Sequence, residues 1–157
     1  MAIDRNVEVL NVDSLAGNTP SFTKLDLFPF AHLRQFEVGD ISFGYVKEVK
    51  MIGQKWLESV VFGENCFTKK ENEMIKSPTR HLYLKDCERL RELRIGSHSF
   101  EKYSSWVIVN LPSLEEIEVG EWRKNDYCSE SALIVKSKRL IMRMMTRPTQ
   151  LETLVVR

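Results

Sequence analysis

Three stretches of the chain carry the same pattern: LRQFEVGDISF (33–43), LESVVFGENCF (57–67) and LRELRIGSHSF (90–100). Each begins with a leucine, continues through alternating apolar residues to a glycine, and ends with a phenylalanine four residues after that glycine. The alternation of apolar and polar residues is the two-residue period of a β-strand with one buried face. A strand of this length cannot bury that face alone, so we expect successive copies to stack in parallel.

Incomplete copies of this motif extend towards both ends of the chain, at VEVLNV (7–12), LEEIEVGEW (114–122) and LETLVVR (151–157). Intervals of 24, 33, 24 and 37 residues separate the leading leucines, which are Leu33, Leu57, Leu90, Leu114 and Leu151. The two long intervals predict insertions at 68–80 and 136–150 in one domain that spans 1–157. Because glycine tolerates positive φ, we expect each motif glycine to form a turn, and we expect the phenylalanine after it to fill the core.

A second and weaker apolar motif lies between the copies of the first. Its central residues recur with steps of 24, 33, 25 and 26 residues, at Leu25, Val49, Leu82, Val107 and Leu133. These steps follow the first motif through its first insertion, and the connections show no helical apolar stripe. The sequence therefore predicts a mainly β fold with few helices, a flattened solenoid of about five to six coils with two short strands per coil.

The motif resembles the leucine-rich-repeat superfamily, whose frame is L-x-x-L-x-L-x-x-N-x-L. In LRELRIGSHSF, Ile95 and Phe100 take apolar positions of that frame. The asparagine position holds His98 in this copy and Asn65 in LESVVFGENCF. The segment LYLKDCERL is similar to the cysteine-containing variant, with Cys87 in the ladder position, and the Gly-x-x-Ser/Cys-Phe ending and NLPSLEEIEVG resemble divergent repeats of protist and BspA-like proteins. The resemblance implies the solenoid fold and little about function, because this architecture hosts many roles.

The composition excludes several classes of protein. The 23 basic and 22 acidic side chains give a net charge of +1, which favours neither nucleic acid nor an anionic membrane. No segment approaches the roughly 18 apolar residues of a membrane span, and the first residues lack the apolar core of a signal peptide. The three cysteines, Cys66, Cys87 and Cys128, have no CxxC spacing. We expect them to be buried, inert thiols in a reducing compartment, and we expect a cytoplasmic location.

Common catalytic and metal-binding patterns are absent from the sequence. The three histidines, His32, His81 and His98, form no closely spaced pair and no HExxH motif. A GxSxG elbow, a P-loop and a GxGxxG fingerprint are also missing. Glu115 and Glu116 alternate along a predicted strand, so they point to opposite faces and cannot act as a catalytic pair. We therefore expect that the protein is not an enzyme and has no catalytic site, no metal site and no cofactor.

The polar positions of the predicted strands form the first candidate binding site. These outward positions hold four acidic residues and one basic residue. The acidic excess favours a basic or polar protein segment over a phosphate backbone as the ligand, and a merely solvated face explains the pattern equally well. The candidate partner-binding residues are Gln35, Glu37, Ser59, Glu92, Arg94, Glu116 and Glu118.

A basic segment in the second predicted insertion forms the second candidate site. Arg139, Arg143 and Arg147 recur every four residues, which predicts a short amphipathic helix over 138–147 that ends before Pro148. Three interpretations remain open: the helix packs on the solenoid, docks an acidic partner or RNA, or lies on a membrane surface. The candidate residues are Lys136, Lys138, Arg139, Arg143, Met144 and Arg147.

The predicted coils start by about residue 7 and continue to Arg157 without a polar cap at either end. Open parallel edges pair readily with another chain. We therefore expect a piece of a longer repeat protein, or a subunit that associates with itself through its ends. The functional prediction is a non-catalytic protein–protein interaction or scaffold module of a larger assembly. The alternative is an RNA- or ribonucleoprotein-associated subunit that uses the basic 136–147 segment.

Overall fold

The computed structural model of the protein describes residues 4–68, 80–101, 103 and 105–121 with their side chains. It also describes the backbone of three strands at 132–135, 141–144 and 153–156. All statements below refer to these residues. Within them the chain is mainly β and contains no helix, as the sequence predicts.

The strands form two sheets in which every pairing is parallel. The first sheet contains, in order, β1 Val9–Val12, β3 Gln35–Val38, β5 Ser59–Phe62, β7 Glu92–Ile95, β9 Glu116–Val119 and β11 Ile141–Met144. The second sheet contains, in order, β2 Lys24–Asp26, β4 Glu48–Ile52, β6 His81–Lys85, β8 Ser105–Val109, β10 Ala132–Val135 and β12 Thr153–Val156. The chain thus alternates between the sheets and adds one strand to each in turn.

The register of the first sheet follows the spacing of the leading leucines. Gln35 pairs with Ser59, Ser59 with Glu92, and Glu92 with Glu116, with offsets of 24, 33 and 24 residues. The leading leucines of these strands are fully buried. The predicted insertion at 68–80 falls in the 33-residue step, and its residues 69–79 lie outside the described residues.

Alternate strand residues and the motif phenylalanines fill the space between the sheets. The inward positions of β3, β5, β7 and β9 are all at most 4% exposed. Phe43, Phe67 and Phe100 are buried and form one stack, with ring centroids 5.3 Å apart for the first pair and 4.3 Å apart for the second. The prediction that these phenylalanines fill the core is confirmed. Their burial supplies a large apolar area in every layer.

The motif glycines have a different role from the predicted one. Gly63 and Gly96 do not have positive φ; the left-handed residues come later in the motif, at Asn65 (φ 54°) and His98 (φ 61°). A Cβ atom on Gly96 would lie 2.3 Å from the carbonyl oxygen of Gly63. The expectation of a positive-φ glycine is therefore wrong. Glycine is required because the backbones of neighbouring copies approach too closely for a side chain.

The C-terminal part of the pattern also needs correction. The helix expected over 138–147 is wrong at 141–144, where β11 pairs with β9 at an offset of 25 residues. The segment 151–157 is not a further copy of the first motif, because β12 pairs with β10 in the second sheet. Backbone pairing with an existing sheet satisfies more polar groups than a short isolated helix would, and short helices are marginal in water.

The second motif is correct for its first three residues and shifted by one at the fourth. Leu25, Val49 and Leu82 are neighbours in register, as predicted. The next position is occupied by Trp106, which is buried, whereas Val107 lies on the outer side and is half-buried. In the run Trp106–Val109 apolar residues occupy both faces, so the sequence pattern alone does not fix which residues point inward.

Candidate interaction surfaces

A ladder of small buried side chains holds the turns after the first sheet. The hydroxyl of Ser99 accepts a hydrogen bond from the backbone N–H of Cys66 (2.9 Å) and donates one to the carbonyl oxygen of Gly63 (2.7 Å). One copy earlier, the thiol of Cys66 donates to the carbonyl of Gly39 (3.1 Å). Each copy thereby satisfies backbone groups of the copy before it, which fixes the strand ends in register. The Ser/Cys position of the motif carried this signal in the sequence.

The structure brings all seven predicted partner-binding residues of the first sheet onto one face. They are half-buried or exposed, whereas their neighbours along each strand are buried. One row across the strands contains Gln35, Ser59, Glu92 and Glu116, and the next row contains Glu37, Val61, Arg94 and Glu118. We call these eight positions the acidic face.

The charges of the acidic face are only partly compensated. Glu92 forms an ion pair with Arg94 and accepts a hydrogen bond from Ser59 Oγ (3.1 Å). Glu37, Glu116 and Glu118 form no ion pair with another described residue. Glu116 lies directly beside Glu92 on the adjacent strand, and two like charges in this position destabilise a sheet. The face therefore has an excess of negative charge that the described part of the protein does not neutralise.

A ladder of alternating charges borders the acidic face, and the sequence analysis missed it. The residue before each strand from β1 to β9 in this sheet is alternately acidic and basic: Glu8, Arg34, Glu58, Arg91 and Glu115. Arg34 lies 3.7 Å from Glu8 and 3.3 Å from Glu58, and Arg91 donates two hydrogen bonds to Glu115 Oε1. The sign change after each leading leucine could have predicted it. Because these pairs are exposed and mutually compensated, they add little to stability or binding.

An arginine–tryptophan cluster lies beside this ladder. The guanidinium of Arg89 lies 4.1 Å from the ring centroid of the half-buried Trp56, and that of Arg34 lies 5.7 Å from it. Cation–π contacts of this kind hold the two arginines on the rim of the sheet. The positive charge of the rim is thus directed to the protein's own groups.

The outer face of the second sheet carries charges that pair within the sheet. Lys50 Nζ lies 3.0 Å from Glu48 Oε1, and this hydrogen bond lowers the pKa of the Glu48 carboxyl and raises that of the Lys50 ammonium. The Nδ1 atom of His81 lies 2.7 Å from the hydroxyl of Ser105 on the neighbouring strand. Both signs of charge alternate here, in contrast to the acidic face.

Most of the predicted basic segment cannot be placed. Lys136, Lys138, Arg139 and Arg147 lie outside the described residues. Arg143 occupies the register position next to Glu118, so it belongs to the row that contains Glu37 and Arg94. Met144 occupies the register position next to the buried Val119. The two placed residues therefore continue the first sheet and do not form one face of a helix.

Within the described residues, no three His, Cys, Asp or Glu side chains cluster so that they could hold a metal ion. No helix in this part of the chain is long and apolar enough to cross a membrane.

The thiols of Cys66 and Cys87 are fully buried and form no disulfide, and Cys128 lies outside the described residues. Burial raises the pKa of the Cys66 thiol and raises that of Cys87 to about 11. Only about one Cys87 in a thousand is then a thiolate at pH 8.

We expect alkylation by iodoacetamide at pH 8 to be about a hundredfold slower at both sites in the native protein than in urea. Peptide mass spectrometry separates these sites from Cys128. Equal rates in the two conditions would show that these thiols are accessible.

Comparison with known proteins finds no match: no family model, no curated protein and no solved structure is similar to this chain.

Proposed function

We propose that this protein is a non-catalytic interaction module that binds a basic segment of a partner protein on its acidic face. Its architecture in this proposal is a solenoid of the leucine-rich-repeat kind, in a larger assembly or a longer protein. Two features support it: the strict alternation of strands between two parallel sheets, and the 24-residue offset that relates their registers. Buried thiols support a reducing compartment such as the cytoplasm.

The observation that carries the proposal is the uncompensated charge of the acidic face. Most charged side chains elsewhere on the first sheet's border have an opposite partner, whereas Glu37, Glu116 and Glu118 have none among the described residues. Like charges on adjacent strands reduce the stability of the free protein. A ligand with lysine or arginine side chains would remove this cost on binding and gain charge-assisted hydrogen bonds.

Rigidity of the face also favours binding. The side chains project from paired strands whose inward residues are buried, so little conformational entropy is lost when a partner docks. An extended basic segment could cross the strands along either row, where neighbouring positions are about 4.8 Å apart.

RNA is the alternative ligand and has weaker support. That prediction rested on a basic helix, and the structure has a strand at 141–144 instead. Phosphate groups would also meet the excess carboxylates of the acidic face, which repel them.

Charge removal on the acidic face tests the proposal. The probe is a lysine-rich peptide of about 15 residues, compared with an acidic peptide and a single-stranded RNA of similar length. We expect the triple variant Glu37→Gln, Glu116→Gln, Glu118→Gln to weaken lysine-peptide binding about tenfold, because three charge contacts are lost. The matched control removes three exposed carboxylates elsewhere, with Glu64→Gln, Glu88→Gln and Glu121→Gln, and should leave the affinity within about twofold.

Fluorescence anisotropy across a salt titration gives the affinities. Equal losses in the two triple variants would contradict a specific acidic face. Tighter binding of RNA than of the lysine peptide, with a steep salt dependence, would favour the alternative.

A further inference from the structure

The inference concerns the end of the two sheets that is formed by β1 and β2. Each of these strands is the first strand of its sheet, so one edge of each has no described strand beside it. The apolar residues of this end are incompletely covered. Leu10 and Leu25 are only partly buried, whereas their neighbours in register, Phe36 and Val49, are fully buried.

The hydrogen bonds show which backbone groups face the open edge. The carbonyls of Glu8 and Val12 accept bonds from the side of β3, and in a strand successive residues point their backbone groups to opposite edges. The N–H and C=O groups of Val9 and Asn11 therefore point outward. By the same argument, the bond from Lys47 N–H to the carbonyl of Thr23 leaves the backbone groups of Lys24 and Asp26 pointing outward.

We propose that a second copy of this chain docks on this end, so that β1 and β2 pair with their own copies in antiparallel, two-fold symmetric fashion. In such pairing the outward residues exchange hydrogen bonds in pairs. Asn11 then lies opposite Val9 of the second copy, and Asp26 lies opposite Lys24 of the second copy.

The charges of β2 are what identify a second copy as the occupant. Lys24 and Asp26 are both exposed and lie on the same outer face, on either side of Leu25. A two-fold axis at Leu25 places each lysine against an aspartate, twice per dimer, so this edge is complementary to itself. Opposite charges directly across antiparallel strands stabilise the pair. The two side chains also lie near Glu48 and Lys50 of β4 in their own chain.

The apolar groups of this end fit the same arrangement. Leu10 and Leu25, the middle residues of the outward-facing segments, would each meet their own copy on the inner side. Val9 is 50% exposed and Leu15 is 65% exposed. A two-fold contact covers this end and closes the assembly at two subunits, whereas a head-to-tail contact would leave another edge open and build fibres.

This proposal does not depend on the acidic face, which lies on the broad side of the first sheet. Sedimentation velocity on the full chain, over about 1–100 µM, measures the monomer–dimer equilibrium. We expect a dimer. Lys24→Asp or Asp26→Lys alone should each raise the dimer dissociation constant about tenfold or more, because two like-charge pairs replace two opposite pairs.

The double variant Lys24→Asp, Asp26→Lys restores opposite charges across the interface and should return the dissociation constant to within about threefold of the original value. Asn11→Pro is an independent variant. It removes an outward N–H and no bond to β3, so it should weaken the dimer, while Asn11→Ala should not. Circular dichroism and thermal melting confirm that each variant is folded.

A monomer at the highest concentration, filaments that grow with concentration, or failure of the double variant to restore the dimer would overturn the proposal. Loss of lysine-peptide binding by the acidic-face variants with an unchanged dimer would separate the two proposals.

Discussion

Replacing Phe67 by alanine is expected to lower the free energy of unfolding by about 3–5 kcal/mol. Phe67 is fully buried and stacks on Phe100 at 4.3 Å with an 11° interplanar angle. Its ring also contacts Phe43 and lies edge-on to Phe62, so its removal leaves a cavity that four aromatic residues border. A loss of this size is a large part of the stability of a small domain.

Urea unfolding followed by tryptophan fluorescence measures this change. The matched control is Phe28→Ala, because Phe28 is 77% exposed. That substitution should change the free energy of unfolding by less than about 0.5 kcal/mol. Equal effects of the two substitutions would contradict a core built on the phenylalanine stack.

Replacing Gly96 by alanine is expected to cost about 2–3 kcal/mol, because the new methyl group overlaps backbone. Its Cβ would lie 2.3 Å from the carbonyl oxygen of Gly63 and 2.7 Å from the N–H nitrogen of Glu64. Neither atom can move without shifting a turn that the ladder of Ser99 and Cys66 holds in place.

Gly53 provides the control that separates close approach from backbone conformation. It has φ +67°, and no atom lies within 4 Å of the position that a methyl group on its Cα would take. Gly53→Ala should therefore cost only about 1 kcal/mol, the conformational penalty. A larger loss at Gly53 than at Gly96, in the same urea experiment, would mean that backbone conformation and not close packing selects the motif glycines.

Local patterns predicted the strands well where one face is polar. The alternation around Phe36 and Val38, or Leu93 and Ile95, states directly which residues are buried, and the structure agrees. The spacing of the leucines also predicted the register, because parallel neighbours must align their apolar rows.

The errors arose where local sequence permits two structures. Residues 141–144 fit a helical period and a strand equally, and only pairing with β9 distinguishes them. Val107 was misassigned because the whole of β8 after Ser105 is apolar. The role of Gly96 depends on the distance to another copy of the motif, which no local pattern contains.

The candidate surface followed the same division. Alternation alone placed Glu37, Glu116 and Glu118 on one face. Their lack of an ion partner among the described residues, and the compensation of Glu92 by Arg94, depend on side-chain geometry across strands and could not be read from the sequence. The edge charges Lys24 and Asp26 acquire meaning only once β2 is known to be the outermost described strand.

The central claim is that the first sheet stacks the copies of the motif in chain order. Pulsed dipolar electron resonance tests it with spin labels on encoded ketone side chains, which leave the native cysteines unmodified. Labels at Gln35 and Glu116 span three strand steps, or about 14 Å between Cα atoms, and labels at Val9 and Glu116 span four, or about 19 Å. The account predicts that the second distance exceeds the first by one strand spacing, about 5 Å. Equal distances, or a separation above about 30 Å for either pair, would contradict it.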